Sequence, residues 1–544
     1  MRFITTLCTI LISSFSYSIA NSLTVIPPGP VTDKTILEVR VNLSNSTDSL
    51  KTLTLKVFIN KTSDENLIAD TSHIELISGG SELVSFWVET RNIIPGSHLI
   101  IVETTDTNEN RSIEQWPIEI HAAETRAQTR LSGGWIDPGV LIEGWGYPRD
   151  RPVTTDDIIF EIDAMKRIGM STIIITYVEY KIAFYPSIFL EYPYYGMDVI
   201  EIILAQADKN KMHVFLGLGR GDDDLLLWDG LGDYERIQEG INFSKNVAKE
   251  LWDLYSHHPS FYGWYLTHEA NDIGRAANYY NPVASFCHEF SPDKPVMIAP
   301  AGSPIISEWL LNTSKVDIFA YQDAVGAGYK NYEYTGDPEI RIADLDSVFK
   351  HYSTLHQNTN KHIWTDLEIW RSNPQTGYTP FIPAPMEQIE RQIAIEAKHV
   401  DFITGYEFLS MMEPPESTLK LGGDDAIHLY NQYLNYYTSL YLSLEKTLDK
   451  KNIELSVTVY PNPFNSSTLI EINNPQQSQI EVFEIFDLLG RKIWNFDIPE
   501  KHDNQTVITW NGKDNLGREV SQGVYLGRLT KAAGVSSVKL LYLK

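Results

Sequence analysis

"FYGWYLTHE", residues 261–269, packs four aromatic residues into its first five positions and ends on an acid. A short aromatic run with no polar alternation reads as a strand covered on both faces, the habit of parallel sheets. Covering explains Phe261 to Leu266 but not Glu269, because an acid gains nothing from being carried to the end of a buried strand. Its position becomes meaningful only through the elements around it.

Seven further runs of the same kind occur, at residues 131–137, 171–179, 212–219, 295–301, 316–323, 361–370 and 401–409. Helical patterns lie between them. "TTDDIIFEIDAMKRIG" opens on a Thr/Asp cap and closes on Gly169, and "MEQIERQIAIEAKHV" repeats its apolar residues at spacings of three and four. Strands alternating with helices predict parallel strands with helices outside. Eight such units within residues 130–445 predict a central (β/α)8 TIM barrel. The competing doubly wound sheet would place a Gly-rich phosphate turn after its first strand, and none follows residues 131–137.

The flanks have other rhythms, so the chain is multidomain. Residues 23–125 hold short period-two runs ("ILEVRVNLSN", "LTLKVFIN", "ELVSFWVET") between turn residues, which predicts an Ig-like β-sandwich without a titratable cluster. Residues 455–544 are again β-rich and predict a second, small β-sandwich. At the start, Arg2, the apolar "ITTLCTILISSF" and Ser18-Ile19-Ala20 predict a signal peptide over residues 1–20, cut after Ala20. That run is too short to span a bilayer, and no transmembrane segment is expected elsewhere. Removing Cys8 leaves Cys287 without an intramolecular partner. A formal charge of -27 argues against nucleic acid or an anionic membrane as partner.

In a TIM barrel the active site forms at the C-terminal strand ends. Alternation puts Tyr265, Thr267 and Glu269 on one face, and Trp364, Asp366 and Glu368 on the face opposite Ile363, Leu367 and Ile369. Glu269 therefore points into the mouth from strand four and Asp366 and Glu368 from strand seven, the two glutamates able to flank one bond and Asp366 a candidate for binding substrate. Glycoside hydrolysis needs such a pair of carboxyls, and a separation of about 5–5.5 Å would make the enzyme retaining. Trp135, Tyr177, Tyr321 and Trp370 are candidate stacking surfaces for sugar rings. Gln322 and Asp323 follow an apolar strand, and the Gly-containing loop after them can bring backbone close to a ligand. Asp137, Glu179 and Glu407 could bind hydroxyls or tune the acid.

No metal or other cofactor is implied. "HEAND" lacks the second histidine of a zinc helix, and "GRGDDDLLLWDG" lacks the spacing of a calcium loop, which leaves it as a loop walling the cleft.

"GGWID", "GWYLTHE", "VDIFAYQDAVG" and "IWTDLEIW" resemble an uncharacterised bacterial family of glycoside-hydrolase-like barrels, a domain of unknown function that is clan A glycosidase-like. The resemblance implies that Glu269 is the acid/base and Glu368 the nucleophile. The clan usually has Asn before its acid/base, where this chain has His268, a residue that could donate the same hydrogen bond to a sugar hydroxyl. In the tail, "VYPNPFNSSTLIEI", "VFEIFDLLGRKIW" and "WNGKDNLGREVSQGVYLGRL" resemble the sorting domain read by the type IX secretion system. That implies passage through the periplasm to the cell surface or medium, with the secretion machinery as partner. The sequence thus predicts a secreted glycoside hydrolase acting on a poly- or oligosaccharide. The alternative is a non-catalytic glycan-binding surface protein on the same scaffold.

Overall fold

The computed structural model describes residues 19–147, 151–193, 196–226, 230–330, 333–373, 375, 380–451, 456–473, 480–487, 491–497, 505–531 and 534–542. Most of the expected signal peptide lies outside these residues. The chain divides into two compact units, Met1–Tyr437 and Thr438–Lys544.

The first unit opens with two sheets. One joins strands Ile19–Ile26, Ile36–Asn45 and Ser81–Glu89; the other holds five, including Lys51–Ile59, Gly96–Asp106 and Arg111–His121. Alternate residues such as Val39, Val41, Leu55, Val57, Ile100 and Val102 fill a shared core, as period-two patterning requires.

Eight parallel strands then close a barrel: β1 (Gly133–Ile136), β2 (Thr172–Ile175), β3 (His213–Gly217), β4 (Phe261–Tyr265), β5 (Val296–Ile298), β6 (Ile318–Gln322), β7 (His362–Glu368) and β8 (Phe402–Tyr406). Each is shorter than its apolar run in the sequence. The surplus residues at the C-terminal ends become the loops that build the mouth. Outside lie α1 (Thr155–Arg167), α2 (Val199–Asn210), α3 (Tyr234–Tyr255), α4 (Ile273–Phe290), α5 (Glu308–Thr313), α6 (Pro338–His356), α7 (Met386–Glu396) and the part of α8 (Gly423–Lys451) up to Tyr437, where the first unit ends. Helix α1 starts where its sequence signals it: Thr154 and Asp157 form a reciprocal capping box. The barrel interior is filled by Trp135, Ile174, Phe215, Tyr265, Ile318, Ala320, Trp364 and Phe402. Ile173, Phe319, Ile363, Leu367 and Ile403 belong to the apolar layer shared with the helices.

The N-terminal sandwich seals the floor of this barrel. Ile26 is buried within the barrel's own inner core, and the Tyr262 hydroxyl donates to the Val25 carbonyl at 2.7 Å. Trp116 stacks on His213 and Trp87 on His362, the first residues of β3 and β7. Buried ion pairs ring the contact: Arg40 with Glu38 and with Asp317, each at 2.8 Å, and Glu38 with His362 at 2.9 Å.

In the second unit, strands Ser456–Tyr460, Thr468–Asn473 and Gln505–Trp510 face a four-stranded antiparallel sheet of Ile480–Asp487, Lys492–Asp497, Gly523–Lys531 and Gly534–Tyr542 around Ile470, Phe483, Trp510 and Leu540. Its turns need left-handed backbone, which Gly512 (φ 67°) and Gly517 (φ 77°) supply. Among the described residues no helix is long and apolar enough to cross a membrane.

Candidate active site

Strand β7 delivers the inward carboxyls. Trp364 sits in the barrel core, and alternation carries Asp366 and Glu368 up the same face toward the mouth. Glu368 is held from the neighbouring β6 loop: its Oε2 accepts the Ala327 amide at 2.7 Å, and the Gly326 amide also donates to the carboxyl. Gly326 is needed for this approach, since a Cβ there would stand 2.1 Å from the Trp370 carbonyl oxygen. The close approach that the loop's glycines allow is therefore to Glu368, a residue of the protein itself. Burial and the nearby Asp323 carboxylate push the Glu368 carboxyl well above the usual range, against the two amides and Arg341.

Glu269 lies beyond the end of β4, exposed at the mouth, and accepts a hydrogen bond from the Gln322 side chain. Protein atoms crowding its sides push its carboxyl up, while Gln322 and Arg220 oppose the shift. Arg220 stands in the acidic stretch "GRGDDD", where no motif marks it as a site residue. It pairs with Asp223 at 2.6 Å, and its charge acts on Glu269, Tyr265 and Tyr177. Asp366 completes the centre: it is buried, its electrostatic neighbours include both Glu269 and Glu368, and its carboxyl is held well above the usual range by desolvation first and by those two acids next.

Several expected binding residues have other duties. His268 is buried, with its ring nitrogens against the Tyr279 hydroxyl (3.1 Å) and the Asp222 carbonyl (2.9 Å), and burial lowers its pKa to about 4. A neutral ring so engaged keeps no donor for a sugar hydroxyl. Tyr321 points outward beneath α6, stacked on Tyr352 at 4.1 Å and bonded to His356. Asp323 is also turned from the mouth: it accepts the Val325 and Glu368 amides and the Gln392 side chain of α7. Trp135 lies inside the barrel between Tyr265 and Tyr406, its indole N–H donating to Thr404. Trp370 has Phe381 stacked on it at 3.8 Å. None of these rings offers an open face at the mouth.

The remaining candidates support the rim. The Tyr177 hydroxyl donates to Asp137, which also accepts the Gly139 and Val140 amides. Glu179 anchors the loop that carries Arg220 by accepting the Gly221 amide at 3.0 Å. Glu407 is buried, and Asp137 is the acid acting on it. Among the described residues, Glu201, His257 and His258 form a trio of metal-type ligands away from this mouth. The His258 ring is already spent there on Asp208 (2.7 Å) and Glu201 (2.9 Å).

No curated protein matches the chain. Among solved structures, a candidate alpha-L-fucosidase from Bacteroides thetaiotaomicron is similar at 21% identity and TM-score 0.45, over 57% of this chain and 93% of that one. A beta-glucuronidase from Bacteroides uniformis is similar at 9% identity and TM-score 0.32, over 97% of this chain and 61% of that one. A beta-D-glucuronidase from Dictyoglomus thermophilum is similar at 13% identity and TM-score 0.36, over 77% and 68%. Residues 458–542 match the secretion system C-terminal sorting domain, which marks the chain for export to the cell surface or medium. Residues 131–419, the barrel, match the family described as Domain of unknown function (DUF4434), and the chain belongs to that family.

Proposed function

We propose that the chain is an exported glycoside hydrolase that cleaves a poly- or oligosaccharide with retention of configuration. Glu269 gives its proton to the leaving oxygen while Glu368 attacks the anomeric carbon, forming a glycosyl ester. Glu269 then takes a proton from water, which displaces Glu368. The observation that carries this reading is that one side chain, Asp366, neighbours both Glu269 and Glu368 at the open end of a single barrel. The raised pKa of Glu269 suits an acid that must arrive protonated. Glu368 must be ionised to attack. The amides of Gly326 and Ala327 favour that form, as does the positive charge that develops on the sugar beside it. The reaction needs no cofactor.

Glu368→Ala and Glu269→Gln should each lower reducing-sugar release by about 100-fold or more while the melting temperature holds. Parent-like hydrolysis by both variants would refute the assignment. The strong burial of Glu368 on the protonated side favours a second reading, a barrel that binds glycan without cleaving it. Binding across a glycan panel with no turnover by the parent protein would select that reading.

A further inference from the structure

Strand β7 outruns its neighbour. The last pair between β6 and β7 is Gln322 with Asp366, and β6 stops there, while β7 continues to Glu368. The Asp366 carbonyl still receives a main-chain amide, that of Asp323, at 3.2 Å. Strand backbone repeats its direction every two residues, so Glu368 turns its N–H and carbonyl to the same side, where β6 has ended. Two side chains take the place of the ladder. Asp323 Oδ1 accepts the Glu368 N–H at 3.3 Å, and the Gln392 side chain of α7 donates to the Glu368 carbonyl at 3.1 Å. The same Gln392 nitrogen donates to Asp323 Oδ2, which closes a clamp around the backbone of one residue. Asp323 and Gln392 are both fully buried. A carbonyl can only accept, so Gln392 must present its NH2 group here and not its oxygen.

The clamp reaches the Glu368 carboxyl too. Asp323 Oδ1 accepts the Val325 amide at 3.0 Å, closing a turn that passes through Ala324 in left-handed backbone (φ 57°). That conformation is costly for a residue with a Cβ and persists only where its surroundings hold it. Directly after the turn come Gly326 and Ala327, whose amides meet the Glu368 carboxyl. Asp323, with Gln392 behind it, thus holds Glu368 by its backbone and, through the turn, by its side chain. An attacking carboxylate needs such precision, since a misplacement of about 1 Å can cost about 100-fold in rate.

We propose that Gln392 is a positioning residue, which from behind the barrel wall locks the Glu368 backbone to Asp323 and so sets where the nucleophile stands. This rests on the glycosidase reading. The test measures reducing-sugar release by the full-length protein from xylan, mannan, galactan and mixed-linkage glucan, with Glu368→Ala as the blank. On the polysaccharide that is cleaved, Gln392→Met, which keeps the length and loses the donor, should lower kcat about 10- to 100-fold with KM within about threefold. Gln388→Met is the matched control: Gln388 lies one turn earlier on α7, is 2% exposed, and bonds Arg371 instead of Glu368. Its kcat should stay within about threefold of the parent. Gln392→Glu has the same shape and donates only while protonated, so its kcat relative to the parent should fall as pH rises. That variant decides the matter if Gln392→Met fails to fold.

Parent-like kcat in Gln392→Met, an equal loss in Gln388→Met, or a Gln392→Glu ratio that does not change with pH overturns the positioning role. If release by the parent is silenced by Glu368→Ala in the same assay, the glycosidase reading still stands. Release that survives Glu368→Ala, or none from any polysaccharide, overturns both the proposal and the reading beneath it.

Discussion

The floor and the mouth of the barrel treat buried acids in opposite ways. At the floor, Glu38 and Asp401 each have a pKa lowered to about 2, because Arg40 faces one, Arg126 the other, and His362 both. At the mouth, Asp366, Glu368 and Glu407 are pushed well above the usual range because burial and neighbouring acids outweigh what opposes them, Arg341 and two amides at Glu368 and the Ser410 hydroxyl at Glu407. The same residue types, equally buried, are arranged at one end to hold two domains together and at the other to remain electrostatically unsatisfied. Charge pairing is concentrated below and desolvated acids above, the division expected if the mouth is the reactive end.

Breaking the floor should give the largest effect. Arg40→Ala leaves Glu38 and Asp317 buried without their shared cation, and should cost about 3–5 kcal/mol in chemical denaturation while kcat per folded molecule is kept. A fully active protein with unchanged stability would show that the floor carries no such load. The floor also sets a pH window. Glu38 and Asp401 titrate normally at 4.5 and 3.8, so their stabilisation is complete above about 4.5 and is lost as pH falls toward 2. His362, whose pKa is raised, contributes in the other sense: its share is present below 6.5 and fades as pH rises past its folded value.

At the mouth, Gly326→Ala should push the β6 loop off Trp370 and withdraw the amides from Glu368. We expect a loss of about 10- to 100-fold in kcat with a smaller change in KM. A milder change comes from Asp323→Asn, which removes the negative charge beside Glu368. If Glu368 is the nucleophile, the acid limb of the pH profile should move about one unit toward lower pH. An unmoved limb would mean that another group controls it.

The sequence made the barrel legible because each buried strand is a continuous apolar run, and parity worked wherever a strand had one polar face. Strand β7 is such a case, with Trp364, Asp366 and Glu368 opposite Ile363 and Leu367. Strand β6 is not. "VDIFAYQD" carries polar residues on both faces, Gln322 on one and Asp317 and Asp323 on the other, so parity has nothing to choose by, and Tyr321, Gln322 and Asp323 could not all face inward. The structure puts Ile318 and Ala320 inside and Tyr321 beneath α6, leaving Gln322 for the mouth. His268 misled for another reason: its partners, Tyr279 and Asp222, come from a helix and a loop whose approach no local pattern announces. The floor was invisible altogether, since Trp116 and His213, or Arg40 and Asp317, meet only once both domains have folded.

Ile26 and the Val25 carbonyl make the N-terminal sandwich act as a stopper. The family boundary at residue 131 is consequently a poor place to cut a gene for expression. A fragment starting there would open the lower ends of its strands to water, with His213, Tyr262 and His362 stripped of their covers, so the smallest practical unit begins with the strand that contains Val25.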